Sequence, residues 1–295
     1  MVYYLLPHAE QVGRVKVAYQ LTDILRELGV RMAVASPQGE AASWFHSSAP
    51  VVDREKALKE LSASDVLFYS FAQDMDVAKA LPARKIFHAA GNDPQTSRAV
   101  DDPGVTLLSA NNRATRFLAG QSTRVPIEIG TAVSDTFFFD GSAKRFSAVS
   151  YMQRRGVETA IAGCHANPGL TPHPIHQLPH ETGVASQLKR SSFFLAPAPR
   201  KGLGLPILEA MAAGCVVLAT PSTDTETCLV HEKNCVLCAP EEMPERLRWL
   251  VQPMQQDLVA RLRDQGLATA YRFTLSQYRQ KIAELMEGPL SFLRS

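Results

Sequence analysis

Along the first half of the chain, short apolar runs alternate with stretches of helical period, the rhythm of a parallel sheet covered by helices. Val2 to Leu6 opens as a strand. Val12, Val15, Tyr19, Thr22, Leu25 and Leu28 then recur at helical spacing, and Gly29 closes that helix before a second strand over Arg31 to Ser36. Further strands are predicted at Val66 to Phe71, Lys85 to His88, Val105 to Ser109 and Val125 to Ile129. Gly141 and Ser142 break the pattern. It restarts with a strand over Phe146 to Tyr151 and a helix from about Val157. Strands over Cys215 to Thr220 and Cys235 to Cys238 follow, then helices over Glu245 to Leu250, Leu258 to Leu267 and Thr274 to Met286. The pattern predicts an α/β chain with a boundary near Asp140 to Lys144.

Composition narrows the class. At 295 residues with 45% apolar content, the chain can fill two cores. A formal net charge of +2 gives no argument for nucleic acid. Because no run approaches the roughly 20 apolar residues of a membrane span, and Met1 to Pro7 leads into a polar segment, the expected location is the cytoplasm. The five cysteines, at 164, 215, 228, 235 and 238, are odd in number and lack compact disulfide spacing, so reduced thiols are expected. No dinucleotide glycine fingerprint follows the first strand, which argues against a nicotinamide or flavin enzyme.

The segment from Arg200 to Thr220 carries the most chemistry. Gly202 and Gly204 allow conformations and close approaches that a Cβ would block. Leu205 precedes a proline and is pushed to extended geometry, Pro206 suits a first helical position, and Gly214 suits a helix end. The uncapped N–H groups of such a helix start form a cradle for an anion such as a phosphate.

This stretch resembles the sugar-nucleotide signature of family-4 glycosyltransferases with the GT-B fold. In that family an acidic residue precedes Gly-Phe-Gly-Leu-Pro and a second glutamate follows on the helix. Glu209 matches the second glutamate, whereas Lys201 stands at the first. The resemblance implies two Rossmann-like parallel-sheet domains facing each other across a cleft. It implies an acceptor-side domain over 1–141, a nucleotide-sugar-binding domain over 142–270 and a closing helix, 271–295, returning to the first domain. Glu209 would hydrogen-bond the donor ribose, and Gly202, Leu203, Gly204 and Leu205 would meet the sugar and diphosphate. Arg154 and Arg155 match the family's basic pair for the diphosphate; which of the two points inward is open. His176 to Pro179, with Leu178, would be the strand end that meets the base, backed by a helix over Gly183 to Lys189, and Glu226 falls in a family loop beside the nucleotide.

Other candidates are weaker. His165, His173, His176 and His180 lie in a segment broken by Pro172, Pro174 and Pro179, too irregular for a compact metal set. Asp74 and Asp76 could chelate a cation, but as acids at a helix start they complement its dipole. Cys235 and Cys238 lie in a strand pattern and read as core thiols. His88 ends a strand before Ala89-Ala90-Gly91, and is either a structural histidine or a cleft residue; some related transferases carry a functional histidine in a comparable loop. His88 and Lys201 are the candidate catalytic residues.

The expected function is metal-independent transfer of a sugar, of hexosyl or deoxyhexosyl type, from a nucleotide diphosphate donor to a glycan, lipid-linked or small-molecule acceptor, with retention. Polysaccharide biosynthesis is the expected setting. No cofactor is expected beyond the donor substrate itself. The partners are that donor and acceptor, with no nucleic acid, and with room for a partner subunit or peripheral association at the inner membrane surface. Lys201 leaves one alternative open, a non-catalytic homologue acting as an accessory subunit.

Overall fold

The computed structural model describes residues 1–91, 93–152, 156–176, 178–197, 204–221 and 228–294. The chain divides into two compact units, one comprising Met1–Ala132 with Ser276–Ser295 and the other Val133–Arg200 with Gly204–Leu275.

The first unit runs β1 (Val2–Leu5), α1 (Gly13–Glu27), β2 (Met32–Ser36), β3 (Val51–Asp53), α2 (Arg54–Glu60), β4 (Val66–Tyr69), α3 (Met75–Ala80), β5 (Arg84–Ala89), β6 (Val105–Ser109), α4 (Asn112–Ala119) and β7 (Ile127–Glu128). Its seven strands are all parallel, in the order β3-β2-β1-β4-β5-β6-β7. Every residue of β2 and β4 is buried, as a parallel sheet covered on both faces requires. The strand order reverses between β1 and β4, where the chain turns from filling one side of the sheet to the other.

The second unit runs β8 (Arg145–Met152), α5 (Val157–His165), β9 (Thr171–Ile175), α6 (Glu181–Arg190), β10 (Ser191–Ala196), α7 (Leu205–Ala212), β11 (Val216–Ala219), β12 (Val236–Leu237), α8 (Met243–Leu250) and α9 (Gln256–Ala270). A last helix, α10 (Leu275–Met286), buries Tyr278, Ile282 and Met286 and lies in the first unit from Ser276 onward. The second sheet is also parallel, in the order β12-β11-β10-β8-β9, with its reversal between β8 and β10. The molecule is therefore an α/β protein with parallel sheets of seven and five strands.

Most predicted elements appear with ends moved by a few residues, and four elements were not predicted as they stand. β3 and α2 carry no periodic signal, since three strand residues feed directly into a helix whose cap, Asp53, accepts from Lys56 N at 2.8 Å. β10 starts at the residue after α6 ends, with no turn residue to announce it. β9 lies in the segment that its prolines mark as turning. It is the edge strand of its sheet, and an edge strand needs donors on only one side. Pro172 and Pro174, two residues apart, present their ring nitrogens to one and the same side.

Candidate functional site

In the second unit, β10 ends at Ala196 and the chain resumes in the described residues at Gly204, the N-cap of α7, with a left-handed φ of 69° and ψ of 9°. A side chain in that conformation is strained, so glycine is the residue that lets the chain turn into the helix there. Pro206 occupies the first turn, no side chain caps it, and it contains no acid. Amides of Ile207 and Leu208 turn back to Gly204 O at 3.0 and 3.3 Å. The helix start thus presents partial positive charge without a resident partner from a side-chain cap.

The burial pattern of α7 sets the direction of Glu209. Leu205, Ile207, Leu208, Ala210, Met211 and Ala212 are buried in the core, while Pro206 and Glu209, three apart, share the partly exposed face. Leu178 follows β9 and packs toward α6; a Cβ added to Gly183 would lie 3.8 Å from it. His180 caps α6, its side chain accepting from Thr182 N at 3.2 Å. Across the reversal of the sheet, β8 ends at Met152 and α5 begins after Gly156, another left-handed N-cap (φ 74°) without a side-chain cap. The carboxyl ends of β10, β8 and β9 lie side by side, so Gly204, Leu205 and Glu209 follow a strand at this reversal and Leu178 follows the strand next to it. Arg154, Arg155, Lys201, Gly202, Leu203 and Glu226 lie outside the described residues.

His88, from the first unit, is fully buried. Its Nδ1 lies 2.9 Å from the Tyr4 hydroxyl, which also donates to Ser70 Oγ at 3.1 Å, and its Nε2 is buried without a hydrogen-bond partner. Burial lowers its pKa to about 4, so it is neutral near pH 7. The two aspartates singled out above have separate partners. Asp74 is fully buried and accepts from Arg54 Nη1 at 2.7 Å, and burial raises its pKa to about 6 against the pull of that guanidinium. Asp76 is 81% exposed and faces Arg98 at 3.4 Å. Among the described residues no group of three His, Cys, Asp or Glu side chains is placed to hold a metal. All five cysteines are free thiols, and burial pushes Cys215 up to about 11 and Cys235 to about 12.

An open depression of about 630 Å³ in the first unit is lined by Asp76 and by residues the sequence did not single out, among them Arg14, Phe71, Gln73, Asp93 and Arg98. Arg14 begins α1; Phe71 and Gln73 follow β4, and Asp93 follows β5. The available signal was positional, since each follows the carboxyl end of a strand at or beside the reversal between β1 and β4. Arg14 Nη1 and Nη2 both donate to Asp93 Oδ2, at 3.3 and 3.2 Å, and its guanidinium carbon lies 5.6 Å from the centre of the Phe71 ring.

The sequence profile described as Glycosyl transferases group 1 matches residues 147–254, from β8 through α8. No curated protein sequence matches the chain. Among solved structures it is similar to Anabaena HepE in complex with UDP and glucose, at 13% identity and a TM-score of 0.75, covering 97% of this chain and 99% of that one. It is also similar to sucrose-phosphate synthase from Thermosynechococcus elongatus, at 12% identity and a TM-score of 0.76, covering 98% and 99%. The pneumococcal O-GlcNAc transferase GtfA in complex with UDP and GlcNAc matches at 12% identity and a TM-score of 0.61, covering 85% of this chain and 62% of that chain. The fold is thus that of GT-B glycosyltransferases, with a group 1 match confined to the second unit. No helix among the described residues is long and apolar enough to cross a membrane.

Proposed function

We propose that this chain is a glycosyltransferase that binds a nucleotide diphosphate sugar at the carboxyl ends of β8, β9 and β10. The observation that carries the reading is the start of α7. A left-handed glycine cap, a first-turn proline and a half-exposed glutamate stand together beside the strand reversal, inside the span matched by the group 1 profile. An anionic diphosphate is stabilised at such a helix start by the N–H groups and the dipole.

In this reading the amides at Gly204 and Leu205, with Gly202 and Leu203 before them, approach the diphosphate and sugar. Arg154 and Arg155 follow β8 and offer forked donors to its phosphate oxygens, neutralising the charge that develops on the leaving group. Glu209 accepts from the ribose hydroxyls, and Leu178 packs against the base. Sugar transfer of hexosyl or deoxyhexosyl type, with retention and without a metal, is part of the proposal. So is an acceptor that is a glycan, a lipid-linked glycan or a small molecule. His88 has no substrate contact in it, because its ring is enclosed by the first sheet.

Lys201 favours a second reading, an accessory homologue, because an ammonium cannot accept hydrogen bonds from sugar hydroxyls as the family's carboxylate does. A GtfA/B complex is among the similar structures. Release of nucleoside diphosphate from candidate donors separates the two. Turnover by the parent that falls in Lys201→Glu supports the enzyme, with Lys201 pairing with the diphosphate. Nucleotide binding without turnover, alone or with a partner subunit, supports the accessory protein. Absence of any thermal stabilisation by UDP, GDP or ADP overturns both.

A further inference from the structure

We infer that Cys215 and Lys144 form an oxidative crosslinking site in the second unit, at which a peroxide oxidises the thiol and the lysine amine then closes a covalent S–N bond. Lys144 directly precedes β8 and Cys215 directly precedes β11. The site therefore lies at the amino ends of these strands, opposite the proposed donor site, and stands apart from the transferase reading.

The two side chains converge on the same pair of carbonyl oxygens, one from Leu188 in the last turn of α6 and one from Ser191 at the start of β10. Lys144 Nζ donates to Ser191 O at 2.6 Å and to Leu188 O at 3.3 Å. Cys215 Sγ donates to the same oxygens at 3.3 and 3.2 Å. Nitrogen and sulfur, each against both oxygens, are thus near neighbours. Packing holds the lysine in this place. A Cβ on Gly214 would come 3.0 Å from Lys144 Cε, so glycine leaves room for the stem, and its left-handed φ of 73° suits glycine as well. The Phe139 ring lies beside the amine, its centre 5.2 Å from Nζ.

An amine attacks only in its neutral form, and burial lowers the pKa of Lys144 toward that form. Cys215 is buried, and burial pushes its thiol up to about 11 while the Lys144 charge pulls it down. The thiol is therefore slow to react until the half-buried lysine swings out and a small neutral peroxide reaches the sulfur. The sulfur then attacks one oxygen of hydrogen peroxide and the O–O bond breaks. One water leaves, and the sulfur, oxidised by two electrons as the peroxide is reduced by two, becomes a sulfenic acid. The returning amine attacks that sulfur and the S–O bond breaks. The departing hydroxide takes the proton shed by nitrogen as a second water, leaving a sulfenamide, the product that sulfenic acids also form with backbone nitrogen. The new bond closes a long loop from β8 to α7 and constrains the unfolded chain as a disulfide does.

Treating the whole folded chain with hydrogen peroxide at mildly alkaline pH, then alkylating free thiols and mapping peptides by mass spectrometry, tests the assignment. The expected product joins Lys144 to Cys215 with the loss of two hydrogens and is released by a thiol reductant. The crosslinked protein should melt several degrees higher than the untreated one. Lys144→Arg keeps a cation for both carbonyls but has no nucleophilic amine, and Cys215→Ala removes the sulfur. Both variants should lose the crosslink and the gain in melting temperature. Cys215 left unmodified, or carried to a sulfinic acid or a disulfide with another cysteine while Lys144 stays free, overturns the inference. So does a crosslink that persists in Lys144→Arg, or one that forms equally well in the urea-unfolded chain, where the carbonyl pair no longer brings the two groups together.

Discussion

The two sheets turn around in the same manner and close their turning points differently. At the reversal between β1 and β4, side chains fill the strand ends. Tyr4, Ser70 and His88 form a buried hydrogen-bonded cluster, and Asp74 is paired with Arg54. At the reversal between β8 and β10, two glycine caps with left-handed φ begin helices that no side chain caps. Topology decides where strand ends can open toward a ligand, and the residues placed there decide what approaches. The first sheet offers a wall of side chains to one flank of its reversal; among the described residues the second offers two helix starts without side-chain caps.

The sharpest way to break that contrast is to titrate the filled reversal. His88 has a folded-state pKa of about 4, below its ordinary 6.5, so the unfolded chain takes up the proton first as pH falls. Its contribution is present above pH 6.5 and is lost as pH drops toward 4, by about 3 kcal/mol in full. Chemical denaturation of the parent and of His88→Phe across that range should show their stability difference shrinking by this amount; parallel pH profiles would remove the cluster from the comparison. Asp74 runs in the opposite sense. Its pKa is raised to about 6, so the folded form takes up the proton first and gains stability as pH falls from 6 toward 4. Asp74→Asn should therefore leave a protein more acid-sensitive than the parent.

At the reversal between β8 and β10 the expected effects are smaller and are read on nucleotide. Glu209→Ala should weaken nucleoside diphosphate by about 2 kcal/mol in calorimetry, on the scale of a lost hydrogen bond to a charged group, while α7 survives because alanine favours helix. Unchanged affinity in the folded variant would take Glu209 out of the site. Gly204→Ala should cost about 1 kcal/mol of stability through its left-handed φ of 69°. Gly183→Ala is the opposite case, an ordinary helical glycine whose added Cβ meets Leu178 at 3.8–3.9 Å. It should raise stability by about 0.5 kcal/mol, and a lowered melting temperature there would show that Leu178 lacks the room these distances describe.

These residues also mark what was readable from sequence. Gly204, Pro206 and Gly214 bracket α7, because glycine and proline act on the backbone within one or two residues, although the helix opens at Leu205, one residue before the proline, where extended geometry was expected. Most of the parallel strands were legible as apolar runs for the same kind of local reason, with β3, β9 and β10 as the exceptions. The residue pattern hid β9, whose end the family resemblance alone put at His176 to Pro179 and which runs over Thr171–Ile175, because its prolines are tolerated only by its place at the sheet edge, a property of the assembled sheet. His88 illustrates the same limit. Its position at a strand end was readable, but its full burial against Tyr4 depends on a strand more than eighty residues away in sequence. Arg14, Phe71 and Asp93 come from three separate segments, and no single stretch of sequence announces their meeting.

The last helix has a consequence for how the protein is made. Tyr278, Ile282 and Met286 of α10, with Leu290 and Leu293 beyond it, are buried, and Arg279 pairs with Glu27 at 3.1 Å. Arg84 stacks on Phe292 with its guanidinium carbon 3.3 Å from the ring centre. These groups belong to the unit whose other residues are synthesised first. On the ribosome, the leading unit waits with an apolar seat uncovered until the whole of the second unit has been translated. The usual order, in which the N-terminal domain folds first, is reversed in its final step. A stalled or prematurely terminated chain would therefore release a leading unit that lacks its closing helix, marked for chaperones by the seat that Tyr278 would have filled.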